Sequence, residues 1–487
     1  MLKRILPLLL VFIMCTTALI GCSRNDKKPT DDSTAESETT DENRVADDIG
    51  EYDFQGAEFT ILARKETNYE HVGDLAGDTV SQKVFERNES VMDRFDVNIE
   101  VVQMNGSYDK RSEMITAMRA ENMSPTGAFD LVSTHSVYLG WMGMEGLTYD
   151  MATLPEIDFS KSYWNQNLYN ELNVDGACYM MIGDIGHTLY EYITVMFVNT
   201  NVLENYNVIE NGIGGLYDLV ENGEWTWEKC YQLSENIGDG ETSYGLLMNV
   251  HAMRASLIAQ DLHVFSRSDV TNRFYMEASA NEHTIKAVEN LSKFFAKSNM
   301  YFADVGQSWD CAEGELNPIF ATDGAVFYPQ MLGQAMNLQE RMGSGYSIVP
   351  LPKYDTFQSD YYTICRDTVT GVAVLSCTKD PEMSGVITQA LCMYGSELVT
   401  PEYYEKALKY RYNSDPKAVE MLDKIRDSLT IEAVPTYFDT GIDADIFYPI
   451  ISSGQYEGIA SIWEGQQAQG NNLIKLFYEK IDALKAG

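Results

Sequence analysis

Two hydrophobic periodicities alternate between residues 59 and 132, and this alternation constrains the fold more than any other feature. Strand-like apolar runs are Phe59–Ala63, the alternating Val97, Ile99 and Val101, and Phe129–Val132. Between them, apolar residues recur at helical spacing, first at Val80, Val84, Val91, Met92 and Phe95, and then at Met114, Ile115 and Met118. This order predicts parallel βαβ units and an α/β lobe. Ligand sites of such sheets lie at the carboxyl ends of the strands.

The remaining sequence repeats this alternation and then becomes helical. Further strand candidates are Cys178–Ile182, Tyr192–Val198, Ala325–Tyr328 and Tyr346–Val349, and helix candidates are Asn281–Lys297 and Pro381–Tyr394. From Pro401 onward nearly all of the pattern is helical. We therefore expect two α/β lobes with a helical C-terminal part. The expected segments are lobe 1 at 51–190, lobe 2 at 191–327, a return to lobe 1 at 328–395, and a helical part at 396–487, mainly in lobe 2.

The N-terminal residues have the pattern of a secretory signal. Lys3 and Arg4 precede the apolar stretch Ile5–Ile20, which is too short and too interrupted to favour a membrane span. The stretch ends in Leu19-Ile20-Gly21-Cys22, which resembles the lipobox of bacterial lipoproteins, where the cysteine is acylated and becomes the first mature residue. We predict a signal peptide at 1–21 and lipidation of Cys22. The alternative is an ordinary signal peptide followed by a chance cysteine.

Residues 22–50 are predicted to be the lipidated cysteine and a flexible acidic tether. The segment Ser23–Gly50 contains nine acidic residues, many Ser and Thr, and almost nothing apolar. Such a composition cannot bury enough surface to fold. The expected protein is a globule tethered to the outer face of the cytoplasmic membrane.

The charge balance excludes several classes of partner. The chain of 487 residues has 35 Lys and Arg against 73 Asp and Glu, a formal net charge of −38. Nucleic-acid binding and docking of a basic patch on anionic lipid both need clustered cations, so neither is expected.

Six cysteines remain after Cys15 and Cys22: Cys178, Cys230, Cys311, Cys365, Cys377 and Cys392. The compartment permits disulfides, but the wide spacing favours buried free thiols.

Motifs of catalysis and of metal binding are missing from the sequence. It contains no P-loop, no dinucleotide fingerprint, no Gly-x-Ser-x-Gly elbow and no His-Glu-x-x-His helix. Asp443 and Asp445 are spaced as in a calcium loop, but the downstream Gly and bidentate Glu are absent. We therefore predict a non-enzyme with no cofactor, no metal and no catalytic residue.

Short motifs over the whole mature chain resemble one family, the sugar-type extracellular solute-binding proteins of ABC importers, in the family 1-like group of bacterial lipoproteins. The matching segments are Val84-Phe85-Glu86-Arg87-Asn88, Phe95–Ile99, Gly146–Asp150, Ile157–Trp164, Phe197-Val198-Asn199-Thr200-Asn201, Gly223-Glu224-Trp225-Thr226-Trp227, Phe320–Phe327 and Ile348–Tyr354. One departure is Phe197, where the family pattern often has Tyr. The resemblance implies a two-lobed, periplasmic-binding-protein-like (type II) fold with a hinge, which captures a solute and delivers it to a permease.

Candidate ligand-binding residues are aromatic and polar side chains in expected loops. Sugar rings stack on aromatic rings, and their hydroxyls bind Asp, Glu, Asn, Gln and Arg. The candidates are Tyr138, Trp141, Asp184, Tyr190, Trp309, Tyr328, Gln330, Arg366 and Asp367. A packing role in the core competes at each position. Packing is the expected role of Trp164, Trp225, Trp227 and Trp463.

The combined features predict a monomeric, lipid-anchored substrate-binding subunit of an ABC transporter that captures a carbohydrate, in particular an oligosaccharide, by hinge closure. Two alternatives stay open. One is a surface-anchored carbohydrate-active enzyme such as a glycoside hydrolase, which would share the lipobox, the aromatics and the acidic residues. The other is the same fold binding a peptide or another non-sugar solute.

Overall fold

The structure is a computed structural model that describes residues 47–107, 110–295, 299–303, 312–343, 345–404, 416–438, 442–453 and 456–486. All of these residues fall in one compact unit, Val45–Gly487. The expected leader, Cys22, the tether up to residue 46, Trp309 and Cys311 lie outside the described residues.

Strands alternate with helices along the chain, as the periodicities predict. The strands are β1 (Ala57–Arg64), β2 (Val97–Met104), β3 (Leu131–His135), β4 (Thr194–Asn199), β5 (Tyr244–Asn249), β6 (Phe265–Arg267), β7 (Phe274–Met276), β8 (Met300–Ala303), β9 (Ala325–Met331), β10 (Tyr346–Val349), β11 (Thr363–Ile364), β12 (Thr370–Val374) and β13 (Leu429–Thr430).

Helices connect most of these strands, and long helices form the C-terminal part. The α-helices are α1 (Thr79–Phe95), α2 (Ser112–Met123), α3 (Ser136–Met144), α4 (Gln166–Leu172), α5 (Thr188–Glu191), α6 (Thr200–Asn205), α7 (Ile213–Glu221), α8 (Trp227–Ser234), α9 (Val250–Ile258), α10 (Glu282–Phe295), α11 (Asn317–Ala321), α12 (Ala335–Arg341), α13 (Pro381–Tyr394), α14 (Pro416–Asp427), α15 (Ala433–Phe438), α16 (Ile442–Ser453) and α17 (Ile459–Ala486). Short 3-10 segments include Lys65–Glu70, and π-helical turns are Ala312–Leu316 and Gly395–Val399.

Polar side chains fix several of the helix starts. Asp78 accepts a hydrogen bond from the Ser81 amide at the start of α1, and Asp380 accepts one from Met383 before the N-terminal proline of α13. Thr226, the N-cap of α8, accepts from the Lys229 amide at 3.1 Å. These caps satisfy amides that have no partner inside the helix.

The first main sheet has the strand order β12-β3-β1-β2. Strand β1 is parallel to β2 and to β3, which confirms the predicted parallel βαβ arrangement. Strand β12 is antiparallel to β3, with Thr370 opposite His135. The start of β12 therefore lies at the carboxyl edge of this sheet.

The second main sheet has the order β10-β4-β9-β5-β8. Strand β4 runs antiparallel to both neighbours, with Thr194 opposite Met331 at the end of β9. Strand β5 is parallel to β9 and β8. The carboxyl edge of this sheet is thus formed by the start of β4 and the ends of β5, β8 and β9.

Two details differ from the sequence expectation. The chain returns to the first sheet later than residue 328, because β9 and β10 both pair in the second sheet and only β12 pairs in the first. The segment 178–182 is not a regular strand; Met181 forms an isolated bridge with Val372. Its side chains are nevertheless buried, which explains the apolar run.

Buried apolar side chains of both sheets and their helices form the core. The tryptophans expected to pack are fully buried: Trp164, Trp225, Trp227 and Trp463. Five cysteines, Cys178, Cys230, Cys365, Cys377 and Cys392, are free thiols, as favoured from their spacing. Among the described residues, no helix is long and apolar enough to cross a membrane.

Candidate functional site

A small cavity lies at the carboxyl edge of the second sheet, where the chain crosses from that sheet to the first. Its volume is about 60 Å³. Apolar walls come from α9 and from the ends of β11 and β13. The polar side chains that line it are Thr194, His251, Arg254, Arg366, Asp367, Glu432 and Thr436.

Arg366 lies in the crossing segment between β11 and β12 and reaches the second sheet. Its Nη2 lies 2.9 Å from Nδ1 of His251 on α9, and its Nη1 lies 3.3 Å from the sulfur of Met331 at the end of β9. Its backbone amide donates to the carbonyl of Tyr192. Burial lowers the pKa of Arg366 to about 9, with Arg254 adding to the effect and Asp367 opposing it. The guanidinium is a buried cation that remains mostly charged at neutral pH.

Asp367 connects the same segment to the first sheet. Its carbonyl accepts from the Ser136 hydroxyl at 2.7 Å and from the Val137 amide at 3.0 Å, both at the start of α3. Because adjacent residues contact opposite sheets, this segment has the position of a hinge.

His251 is held in its neutral form. Asn249 caps α9 by accepting from the Ala252 amide, which places His251 in the first turn of that helix. Burial and the nearby Arg366 and Arg254 lower the pKa of His251 to about 2. Nδ1 of the neutral imidazole therefore accepts the hydrogen bond from Arg366.

Glu432 brings a carboxylate to the same cavity from the C-terminal part. Its Oε1 lies 3.0 Å from Nδ1 of His263, whose Nε2 lies 3.3 Å from Asp261. Burial opposes the charge on His263, but the hydrogen bonds with Asp261 and Glu432 raise its pKa to about 10. His263 is consequently an imidazolium at neutral pH and balances the charge of Glu432.

Thr436 reaches the cavity because α15 packs closely against α3. The approach depends on Gly140, since a Cβ at that position would lie 2.6 Å from the Thr436 carbonyl. A C-terminal helix and the first sheet are thereby joined beside the cavity.

A buried polar network underlies the carboxyl edge of the first sheet. The guanidinium of Arg64, at the end of β1, donates to His135 at 2.9 Å and to the Thr370 hydroxyl at 2.9 Å. Burial and Arg64 lower the pKa of His135 to about 3, although its bond to the Thr368 carbonyl opposes this. The Thr370 hydroxyl in turn donates to Glu70 at 2.7 Å. Three strand ends are thus cross-linked by side chains.

The structure brings two of the predicted ligand residues, Arg366 and Asp367, to the cavity. Tyr138 and Trp141 both lie on α3. Tyr138 is buried with its ring 4.9 Å from the His135 ring, and Trp141 is 36% exposed. Neither of these two lines the cavity.

The other described candidates form two hydrogen-bonded pairs away from the cavity. The Tyr190 hydroxyl donates to Asp184 at 3.1 Å, and the Tyr190 ring lies 5.0 Å from that of Tyr404. Burial raises the pKa of Asp184 although several hydroxyls and Arg426 oppose it. In the second sheet, Gln330 donates to the Tyr328 hydroxyl, which donates to Asn317 at 2.9 Å. The polar ends of these four side chains are used for internal contacts.

Sequence reasoning missed several cavity residues, namely Thr194, His251, Arg254, Glu432 and Thr436. A usable signal existed for His251, because Asn249 follows an apolar strand and is a favoured N-cap residue. Glu432 and Thr436 carry no such signal, since they come from a helical region far away in sequence.

The cavity offers charged and polar hydrogen-bonding groups beside apolar walls. No cluster of His, Cys, Asp and Glu suited to a metal ion occurs in the described ranges. An arrangement of Arg, carboxylate and hydroxyl groups can bind ligand hydroxyls, which both donate and accept.

Comparison with known proteins identifies the fold. No protein-family model matches the sequence, and no curated protein matches it. Among solved structures, it is similar to the sugar-binding protein MalE from Xanthomonas citri, with a TM-score of 0.56, 11% identity, and coverage of 88% of this chain and 99% of that one. It is also similar to the galacto-N-biose-/lacto-N-biose I-binding protein of the ABC transporter from Bifidobacterium longum, with a TM-score of 0.53, 11% identity, and coverage of 87% and 98%.

A third similar structure is a cyclo/maltodextrin-binding protein complexed with maltotetraose, with a TM-score of 0.51, 14% identity, and coverage of 88% and 97%. The chain therefore has the α/β, two-lobed fold of the maltose-binding-protein type. This fold is the one that the sequence resemblance implied.

Proposed function

We propose that the chain is the substrate-binding subunit of an ABC importer and captures a carbohydrate between its lobes. The observation that carries this proposal is the polar cavity beside the crossing segment, where Arg366 contacts the second sheet and Asp367 the first. The similar solved structures are sugar-binding proteins, two of them complexed with lacto-N-biose and maltotetraose. The proposed ligand is an oligosaccharide.

Cavity size supports capture by hinge closure. A cavity of about 60 Å³ has room for a few waters but not for an oligosaccharide. An oligosaccharide can enter only if the lobes move apart. Ligand would then stabilise a form in which the lobes close around it and leave a wider cleft than the present cavity, by its greater affinity for that form, and this ligand-bound form would dock on the permease.

Aromatic residues would complete the site once the lobes open. Trp141 is the most exposed described aromatic candidate, and we propose it as a stacking surface, with Tyr138 and Trp309 as further contacts. Asp184, Tyr190, Tyr328 and Gln330 would contribute only if ligand replaced their internal hydrogen bonds, so their proposed role is secondary.

The proposal includes the cellular position. Acylation of Cys22 would hold the protein as a monomer at the outer face of the cytoplasmic membrane. The proposed tether is shorter than the expected 23–50, because Ile49 is buried and Asp47 and Asp48 pair with Arg94 and Lys161. The proposed partners are the permease subunits and the solute, without nucleic acid.

Calorimetry and thermal-shift assays with sugars, peptides and polyamines test the function. We expect sugars of two to four rings to raise the unfolding temperature, because a ligand that binds only the native state stabilises it. Small-angle scattering should show compaction on addition of the same sugar. Stabilisation by peptides or polyamines alone would contradict the proposal.

The enzyme alternative has its own test. The protein is incubated with saturating oligosaccharide, and released reducing sugar is measured. Release that is abolished by substitution of one carboxylate, such as Glu432→Gln, would show that the protein hydrolyses the sugar. We expect no release, because the similar solved structures are sugar-binding proteins.

A further inference from the structure

A second, far larger cavity lies at the opposite ends of the two short strands that border the first. Strands β11 and β13 are parallel. Residues 364–367, 431–432 and 435–436, at and beyond their carboxyl ends, line the small cavity. Tyr361, Tyr362, Leu429 and Thr430 at their amino ends line the second cavity, whose volume is about 620 Å³. This volume falls within the range of about 300–1,000 Å³ typical of ligand pockets.

The wall of this second cavity contains polar groups that are not engaged within the described parts of the chain. The Glu171 carboxylate, on α4, accepts no hydrogen bond there; burial raises its pKa, and the nearby Arg267 and His263 oppose this effect. Lys424, near the end of α14, has no ion pair in the same described ranges. The amide of Asn170 and the hydroxyl of Tyr362 likewise make no hydrogen bond to described residues. Asn170 is exposed, whereas Glu171, Tyr362 and Lys424 are partly buried, and partly buried polar groups are costly unless a ligand or water satisfies them.

The aromatic part of the wall is fixed in place. The Tyr361 hydroxyl donates to the Val220 carbonyl at 3.0 Å, and Nζ of Lys353 lies 5.2 Å from the centre of the Tyr361 ring. Nζ of Lys353 also donates to the Gln358 carbonyl at 2.7 Å. Ligand binding would require little ordering of this side of the cavity, which lowers its entropic cost.

The donors and acceptors in the wall that have no partner among the described residues indicate the chemistry of the ligand. Lys424 can only donate, an ionised Glu171 can only accept, and Asn170 and Tyr362 can do both. The wall also contains Lys353, Asp427, Glu221, which pairs with Lys417, and Asp360, which accepts from Ser359. Charges of both signs therefore line the cavity, so a polyamine would meet lysines and an anion would meet carboxylates. Hydroxyl groups satisfy both, and a sugar ring can also stack on tyrosine.

We propose that this cavity is a second binding site for a neutral polyhydroxylated ligand of one to four sugar rings. It is separate from the cleft proposed above, because the two cavities share no lining residue. The site would therefore bind ligand whether or not the cleft is occupied.

Fluorine NMR of the full chain tests the proposal directly. 3-Fluorotyrosine placed at position 362 alone keeps the hydroxyl and reports on the cavity, and the same label at exposed Tyr275 on β7 serves as the control. The probes are maltose, lacto-N-biose, maltotetraose and spermidine. We expect a sugar to shift the resonance at position 362, but not at 275, with a Kd of about 1 mM or tighter.

Substitutions then identify the groups that bind. Lys424→Met and Glu171→Gln should each weaken the binding seen at position 362 about tenfold, the effect of losing one hydrogen bond to a charged group. Lys475→Met removes an exposed lysine paired with Glu479 on α17 and should change nothing. Arg366→Met, in the cleft, should not change the sugar concentration at which the resonance at position 362 is half shifted.

Three results would overturn the proposal. The first is the absence of any shift at position 362 with all three sugars, and the second is a shift with spermidine alone. The third is that the sugar concentration giving half of the shift at position 362 depends on occupancy of the cleft and changes in Arg366→Met. The label would then report movement of the hinge rather than a ligand bound beside it.

Discussion

Nη2 of Arg366 lies 2.9 Å from Nδ1 of His251, and this contact joins the crossing segment to the helix that follows β5. The imidazole stays neutral because burial and the neighbouring arginines lower its pKa to about 2. It can therefore accept from Arg366 over the physiological pH range. The cation is oriented at the cavity by a neutral group, which leaves its charge available to a ligand.

Arg366→Met should weaken sugar binding by about 10- to 100-fold, since hydrogen bonds to charged groups contribute about 1.5–3 kcal/mol. Arg366→Lys should recover part of the loss, because an ammonium keeps the charge but not the planar fork. Calorimetry with the sugar found by screening measures both. Arg341→Met, at the exposed end of α12, is the control, and equal affinities for both Met variants would contradict the site.

Deprotonation of His263 at alkaline pH should lower the stability of the protein. The pKa of His263 is raised from 6.5 to about 10 by Asp261 and Glu432. A raised pKa contributes stability that is fully present below pH 6.5 and is lost as the pH rises through about 10. We expect the free energy of unfolding to fall by about 1–2 kcal/mol across this window. The value is modest because the side chain is 31% exposed and water screens the pair.

His263→Gln removes this titration, and urea denaturation at pH 6.5 and 10 measures it. The variant should lose less stability over this interval than the native chain, since other groups titrate equally in both. The same loss in both proteins would show that His263 does not carry the effect.

Local patterns predicted much of the first sheet. Hydrophobic spacing located β1, α1, β2 and α13 to within a few residues, because each element buries one continuous apolar face. The apolar run at 178–182 predicts a strand, but burial of an irregular segment produces the same run. Such runs do not distinguish paired strands from buried irregular chain.

The site could be predicted only in part, because it depends on contacts between distant segments. Arg366 and Asp367 could be predicted because they are polar residues in an expected loop. Tyr190 and Tyr328 were nominated from loop position, but their hydroxyls bond to Asp184 and Asn317. Sequence spacing contains no information about which hydroxyl already has a partner.

Thiol reactivity should separate Cys377 from the other described cysteines. Cys178, Cys230, Cys365 and Cys392 are buried, and burial raises their pKa, which suppresses the reactive thiolate. Burial raises the pKa of Cys377 as well, but this thiol is only partly buried, so the reagent can reach it. Brief maleimide labelling of the native chain, followed by peptide mapping, should modify Cys377 first. Labelling of Cys178 at the same rate as Cys377 would contradict this order.

Cys22→Ala should abolish acylation and release the protein from the membrane fraction, because the thiol is the predicted site of lipid attachment. Fractionation and metabolic labelling with a fatty acid measure this. Cys15→Ala, within the predicted signal peptide, is the matched control and should leave the protein membrane-bound and labelled. If both variants stayed membrane-bound, anchoring through Cys22 would be excluded.

Arg87 should be among the most important charged residues for stability. It is 1% exposed, and its guanidinium donates to the carbonyls of Ile185 and Glu70 at 2.9 and 2.8 Å. Arg87→Met would leave both buried carbonyls without this donor, and we expect the free energy of unfolding to fall by about 3 kcal/mol.

Urea denaturation compares this variant with Arg119→Met, which removes a partly exposed pair with Glu145 and should cost less than about 1 kcal/mol. Sugar affinity, measured under conditions where both variants are folded, should be unchanged, because neither arginine lines the cavity. Equal losses of stability would show that Arg87 contributes no more than a surface ion pair.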